Sequence, residues 1–119
     1  MAQILEQRRR QLHGIQRTLY RRVLVGHLPL LILREAQRRP INGYAIISTV
    51  MTRFGILLSP GTVYPILQYL AGQGLLKEVP AEAPDSRSRY FQATVPQGFL
   101  QELDNRIANV QIEEGGFHI

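Results

Sequence analysis

Five uncharged side chains able to donate or accept hydrogen bonds fall within one short stretch, LSPGTVYPILQYLAGQGLL (58–76): Ser59, Thr62, Tyr64, Gln68 and Tyr69. Their chemistry is that of polar recognition. A carboxamide such as that of Gln68 pairs bidentately with the edge of adenine, while hydroxyls mostly hold phosphate oxygens. The plain alternative is the wet face of an ordinary amphipathic helix. Val63, Ile66, Leu67 and Leu70 recur at helical intervals, which assigns the opposite face of the same helix to a core. Ser59 suits the N-cap, its side chain accepting from a free amide of the next turn, and Pro60 suits the first helical position. Pro65 removes an internal bond and bends the axis if the helix starts at Pro60. It is harmless if Thr62 is the effective cap. Gly72 and Gly74 close the helix.

Three more residues have the same potential. A helix expected over 42–54 has Asn42 as N-cap. It buries Ala45, Ile46, Val50 and Met51, and turns Tyr44, Ser48, Thr49 and Arg53 outwards. Tyr44 then sits at a helix N-terminus, whose positive field favours phosphate. Strands expected at 75–79 and 89–95 flank the turn-rich segment Pro80 to Ser88, which makes a long-looped hairpin. Arg87 and Arg89, two apart on an extended chain, point the same way. They suit phosphates or a narrow A·T-rich minor groove; otherwise they are solvated loop charges.

The rest of the chain positions these groups. Residues 2–25 read as a helix with the stripe Leu5, Leu12, Ile15, Leu19 and Val23, and with Arg8, Arg9, Arg10, Arg17, Arg21 and Arg22 over much of the remainder. Those arginines suit solvent, DNA backbone or a partner subunit. Gly26 is expected to break this helix and Pro29 to start a second, over 29–38, ended by Pro40. Ile56-Leu57-Leu58 is long enough for a short strand. A last helix over 96–113 aligns Phe99, Leu100, Leu103, Ile107 and Val110. The order is helix, helix, helix, short strand, helix, hairpin, helix. That is a mainly α protein with a small β-hairpin, a winged helix-turn-helix with the helix at 59–73 in the recognition position. Its parts are an N-terminal basic helix (1–25), the winged helix (26–95), a C-terminal helix (96–114) and a loose tail (115–119). One small core cannot cover both outer stripes. Leu12, Ile15, Leu19 and Val23 are therefore expected to meet Leu100, Leu103, Ile107 and Val110 of a second copy across a two-fold axis; the alternative is that both stripes fold back on their own core.

Composition agrees with a polyanion partner. The net charge is +5 over 119 residues, and residues 1–40 hold nine arginines against two acids while residues 41–119 hold five basic residues against seven acids. There is no cysteine, which excludes disulfides and thiolate metal sites. His13, His27 and His118 lack metal-ligand spacing, and neither Asp104 nor Glu113-Glu114 has an acid–base partner in the sequence, so no enzyme, metal or cofactor is expected. No apolar run is long enough for a membrane span or a secretory signal, which makes the cytoplasm the expected location.

The blocks GHLPLLIL (26–33), PINGYAI (40–46), LSPGTVYPILQYLAGQGLL (58–76) and SRSRYFQAT (86–94) resemble, in order and spacing, the PadR family of transcriptional regulators. The resemblance spans about residues 26–98, and Ser59 to Pro65 is its most specific part. Asn42 stands where that family usually has His, Ala45 where it usually has Glu, and Asp85-Ser86-Arg87 replaces its common Gly-Arg entry to the wing. One extra residue separates Thr94 from Gly98. The single C-terminal helix resembles the short branch of the family. The resemblance implies a homodimeric repressor of double-stranded DNA, with a small aromatic or drug-like effector bound near the dimer interface. Two other uses of the fold stay open: a module for protein–protein contact, and an architectural DNA binder of low specificity.

Overall fold

In the computed structural model, residues 1–81 and 88–113 are described. The wing-tip residue Arg87 and the expected tail lie outside the described residues. The elements in order are α1 (Ala2–Arg38), α2 (Gly43–Phe54), α3 (Pro60–Gly72), β1 (Leu76–Val79), β2 (Tyr90–Ala93) and α4 (Phe99–Glu113).

The expected break at Gly26 is absent: α1 is one helix of 37 residues with Pro29 inside it, about 55 Å long at 1.5 Å per residue. An interior proline and a glycine together disfavour a helix by about 4 kcal/mol. Leu24, Leu28, Ile32, Leu33 and Ala36 are buried on one side of this stretch, and each large buried side chain returns about 1.5–3 kcal/mol. Burial on both sides of Pro29 therefore outweighs the local signal, which a sequence window cannot weigh.

α2 starts as expected. The Asn42 carboxamide oxygen accepts from the Ala45 amide at 2.8 Å, and Gly55 ends the helix in the left-handed region at φ 69°. Ile46 and Val50 are buried, whereas Met51 is exposed, contrary to its expected place in the stripe. α3 buries Val63, Leu67 and Leu70, with Ile66 at the margin.

The sheet has two antiparallel strands, paired Leu76↔Ala93, Lys77↔Gln92, Glu78↔Phe91 and Val79↔Tyr90. Residues 56–58 form no strand. The third partner of the sheet is Ile41, which exchanges two backbone hydrogen bonds with Phe91, at 2.9 and 2.7 Å. Ile41 leaves α1 directly against the free edge of β2, so the chain between α1 and α2 takes the place expected of 56–58. The core is one cluster in which α1, α2, α3, Leu58, both strands and Leu100 of α4 meet.

α4 begins at Phe99 rather than 96, after Gly98 at φ 84°. Leu100 is buried in the chain's own core, so it is not free to meet a second copy as the sequence suggested. Asp104, which lacked a partner in the sequence, is ion-paired with Arg34 of α1, and the pair fastens α4 against the outer side of that helix.

Candidate nucleic-acid interface

Two helix N-termini lie side by side. Gly43, the first residue of α2, is buried under the ring of Tyr64 from α3; a Cβ at Gly43 would stand 2.9 Å from Tyr64 Cζ. Tyr44, the next residue, is 60% exposed. At the start of α3 the Ser59 carbonyl accepts from the amides of Thr62 and Val63, at 3.0 and 3.3 Å. The Ser59 side chain makes no cap bond, contrary to expectation. Its Oγ instead faces Thr62 Oγ1 at 3.3 Å, so two hydroxyls stand together where the free amides concentrate positive field.

Helical geometry orders the rest of α3. At 100° per residue, Gly61, Pro65, Gln68 and Gly72 form the outermost line, with Tyr69 beside it and Thr62 and Tyr64 on its two borders. Burial follows the same order: Gly61, Pro65, Gln68, Tyr69 and Gly72 are exposed, while Thr62 and Tyr64 are half-buried. Gly61 and Pro65 on that line went unnoticed in the sequence, where they read only as helix-start signals. A side chain at Gly61 would meet nothing closer than Ser59 Oγ at 3.7 Å, so the backbone here is open to close approach. α3 starts at Pro60, so Pro65 lies inside it and gives no amide bond to the Gly61 carbonyl.

On the wing, Arg89 is not a free cation. Its Nε and Nη2 donate to the two carboxylate oxygens of Glu78 at 3.1 and 2.8 Å, and its guanidinium lies 5.7 Å from the centroid of the Phe91 ring. Hydrogen bonds from Arg89 hold the Glu78 carboxyl below the ordinary glutamate range. The same bonds raise Arg89. The register explains the contact: Glu78 is opposite Phe91, and Arg89 is two residues from Phe91 on the same face. Glu78 went unmarked in the sequence because only the strand register reveals it as the partner. Arg21 was also missed as an individual contact. It donates from Nη1 to the Leu57 carbonyl at 3.2 Å, joining α1 to the turn that precedes α3.

Tyr44, Ser59, Thr62 and Tyr64 thus gather around two adjacent helix starts, Gln68 lies further along the outer line of α3, and Arg89 stands on the hairpin. Of the apolar residues expected to face a second copy, Leu12, Ile15, Leu19 and Val110 are exposed, and Val23, Leu103 and Ile107 are half-buried. No helix among the described residues is long and apolar enough to cross a membrane.

A trihelical core with a bridged hairpin, and the start of its third helix laid bare, defines a winged helix-turn-helix protein. The family model of the PadR-like transcriptional regulators matches residues 32–99. The chain belongs to that family. Solved structures give the same fold. A PadR family regulator from Eggerthella lenta DSM 2243 superposes with a TM-score of 0.73 at 23% identity, covering 88% of this chain and 93% of that one. A transcriptional regulator from Clostridium thermocellum gives 0.66 at 18% identity, with 82% and 95% covered. A PadR-like regulator from Bacillus cereus gives 0.63 at 20% identity, with 77% and 91% covered. No curated protein matches the chain.

Proposed function

We propose that the chain is a homodimeric repressor that binds a palindromic site in double-stranded DNA, with α3 in the major groove and the hairpin on the adjacent minor groove or backbone. The observation that carries this reading is the outer line of α3. It is uncharged and narrow, has glycines at 61 and 72, and presents Gln68, with the Ser59–Thr62 hydroxyl pair at its start. In this reading Gln68 reads a base edge, and Ser59, Thr62, Tyr44 and Tyr64 hold phosphates. Arg89 reaches the backbone or minor groove once it exchanges Glu78 for phosphate, and Arg87 does so from the wing tip.

The dimer brings the exposed stripe of Leu12, Ile15 and Leu19, continued by Val23, against Leu103, Ile107 and Val110 of the second copy. Two-fold pairing sets two α3 helices against two half-sites. A groove of about 1040 Å³ along α1, walled by Tyr20, Val23, His27, Leu31 and Phe54, gives a small aromatic effector an apolar place beside that interface.

The test is a titration of DNA from upstream of the protein's own gene against scrambled DNA of equal length, at about 150 mM salt, with wild type and a Thr62→Ala/Tyr64→Phe variant. Preferential binding that the variant loses supports the reading. Equal affinity for both DNAs replaces it with architectural binding.

A further inference from the structure

The face of α1 that enters the core does not stop where the core stops. Ile32, Leu28 and Leu24 are buried along it. Going toward the N-terminus, the same three-and-four spacing gives Arg21, Arg17, Gly14 and Arg10, all on one side of a continuous helix. Arg21 marks where this row leaves the domain, because its guanidinium is held by the Leu57 carbonyl just before α3. Beyond it, Arg17 has no hydrogen-bond or ion-pair partner among the described residues, and Arg10 makes only a 3.7 Å approach to Glu6. The apolar stripe of Leu5, Leu12, Ile15 and Leu19 lies on the opposite side of the helix by the same geometry. The arm therefore has two distinct faces. One is apolar and fits a second copy; the other is cationic and continues the side that carries the turn before α3.

We infer that Arg10 and Arg17 form a second contact surface for double-stranded DNA, on backbone phosphates outside the bases read by α3. Charge and continuity argue for this occupant. Residues 1–22 hold six arginines against one acid, a match for a polyphosphate and a repulsive surface for the same arm of another copy. Arg21 anchors the row to the turn before the reading helix. Arg10 lies about 16 Å further along the helix axis from Arg21, at 1.5 Å per residue. A free guanidinium also matches phosphate bidentately. The row thus sets affinity and footprint length while α3 sets sequence. This inference rests on the proposed DNA-binding function.

The experiment compares wild type, Arg10→Gln/Arg17→Gln and Gln68→Ala on two duplexes. One contains only the two half-sites, and the other is extended by several base pairs at each end. Binding is followed over a range of salt, and dimerisation by analytical ultracentrifugation. Wild type gains affinity on the extended duplex. The double arginine variant remains dimeric, loses that gain and keeps its sequence preference. Its log K against log salt plot is shallower by about 3–4, the loss of four phosphate contacts per dimer at 0.9 each. An unchanged salt slope, or no gain from extension in wild type, overturns the inference. Loss of the dimer in the arginine variant overturns it too and assigns the row to the partner subunit. Failure of the underlying reading looks different: Gln68→Ala then leaves sequence preference intact, or wild type shows none.

Discussion

The ring of Tyr64 lies against Gly43, so close that a methyl group on Gly43 would meet Cζ at 2.9 Å and the hydroxyl oxygen at 3.1 Å. This contact fixes the start of α2 against the first half of α3, and with it the spacing between Tyr44 and the Ser59–Thr62 pair. Gly43→Ala is expected to push Tyr64 outwards, to cost about 1–3 kcal/mol by overpacking, and to weaken DNA binding. Denaturant melts and a binding titration check this. In a Tyr64→Ala background the Gly43→Ala cost should largely vanish, because the ring it strikes is gone.

Asn42 caps α2 through its side-chain oxygen. Asn42→Ala should cost about 1 kcal/mol, measured by denaturant melts. Asn42→Asp should keep the cap, since aspartate accepts the same amide bond.

Leu100 and Leu19 separate core from interface. Leu100 is buried in the chain's own core, while Leu19 is 56% exposed. Leu100→Ala should lower stability by about 2–5 kcal/mol. Leu19→Glu should leave the fold intact and shift ultracentrifugation profiles towards monomer. If Leu19→Glu remains dimeric, the proposed interface is wrong.

Glu78 neutralises the wing arginine in the free protein. Glu78→Gln should release Arg89, tighten DNA binding and steepen its salt dependence, as measured by titration at several salt concentrations. The pH dependence has a definite sign. Arg89 lowers the Glu78 carboxyl from its ordinary 4.5. The pair's contribution to stability is therefore fully present above that value and is lost only as pH falls through the lower, folded one. An NMR titration of the Glu78 carboxyl should give a midpoint below 4.5, returning towards it in Arg89→Gln.

Much of this arrangement is legible in the chain. Asn42 and Gly55 declare the limits of α2 because caps are local chemistry, and the Val63–Leu67–Leu70 stripe declares the buried side of α3. What escapes is decided at a distance. Gly26 and Pro29 are genuine local breakers, overruled by the burial of Leu24, Leu28 and Ile32 on either side. Ile41 takes the sheet edge because α1 ends beside Phe91, which no window around Ile56-Leu57-Leu58 reveals. At the candidate site the residue types are readable, but their partners are not. Ser59 looks like a side-chain cap and turns instead to Thr62. Arg89 looks free and is held by Glu78, eleven residues away. Gly43 is silent until the Tyr64 ring is seen upon it.

The most direct test of the account is selection of duplexes bound by the full chain from a random pool at about 150 mM salt. The account predicts enrichment of a two-fold symmetric sequence whose half-sites are about one helical turn apart, or a multiple of it, with the preference relaxed at one position of each half-site by Gln68→Ala. Retention of DNA with no sequence enriched, or an enriched sequence indifferent to Gln68, would contradict it.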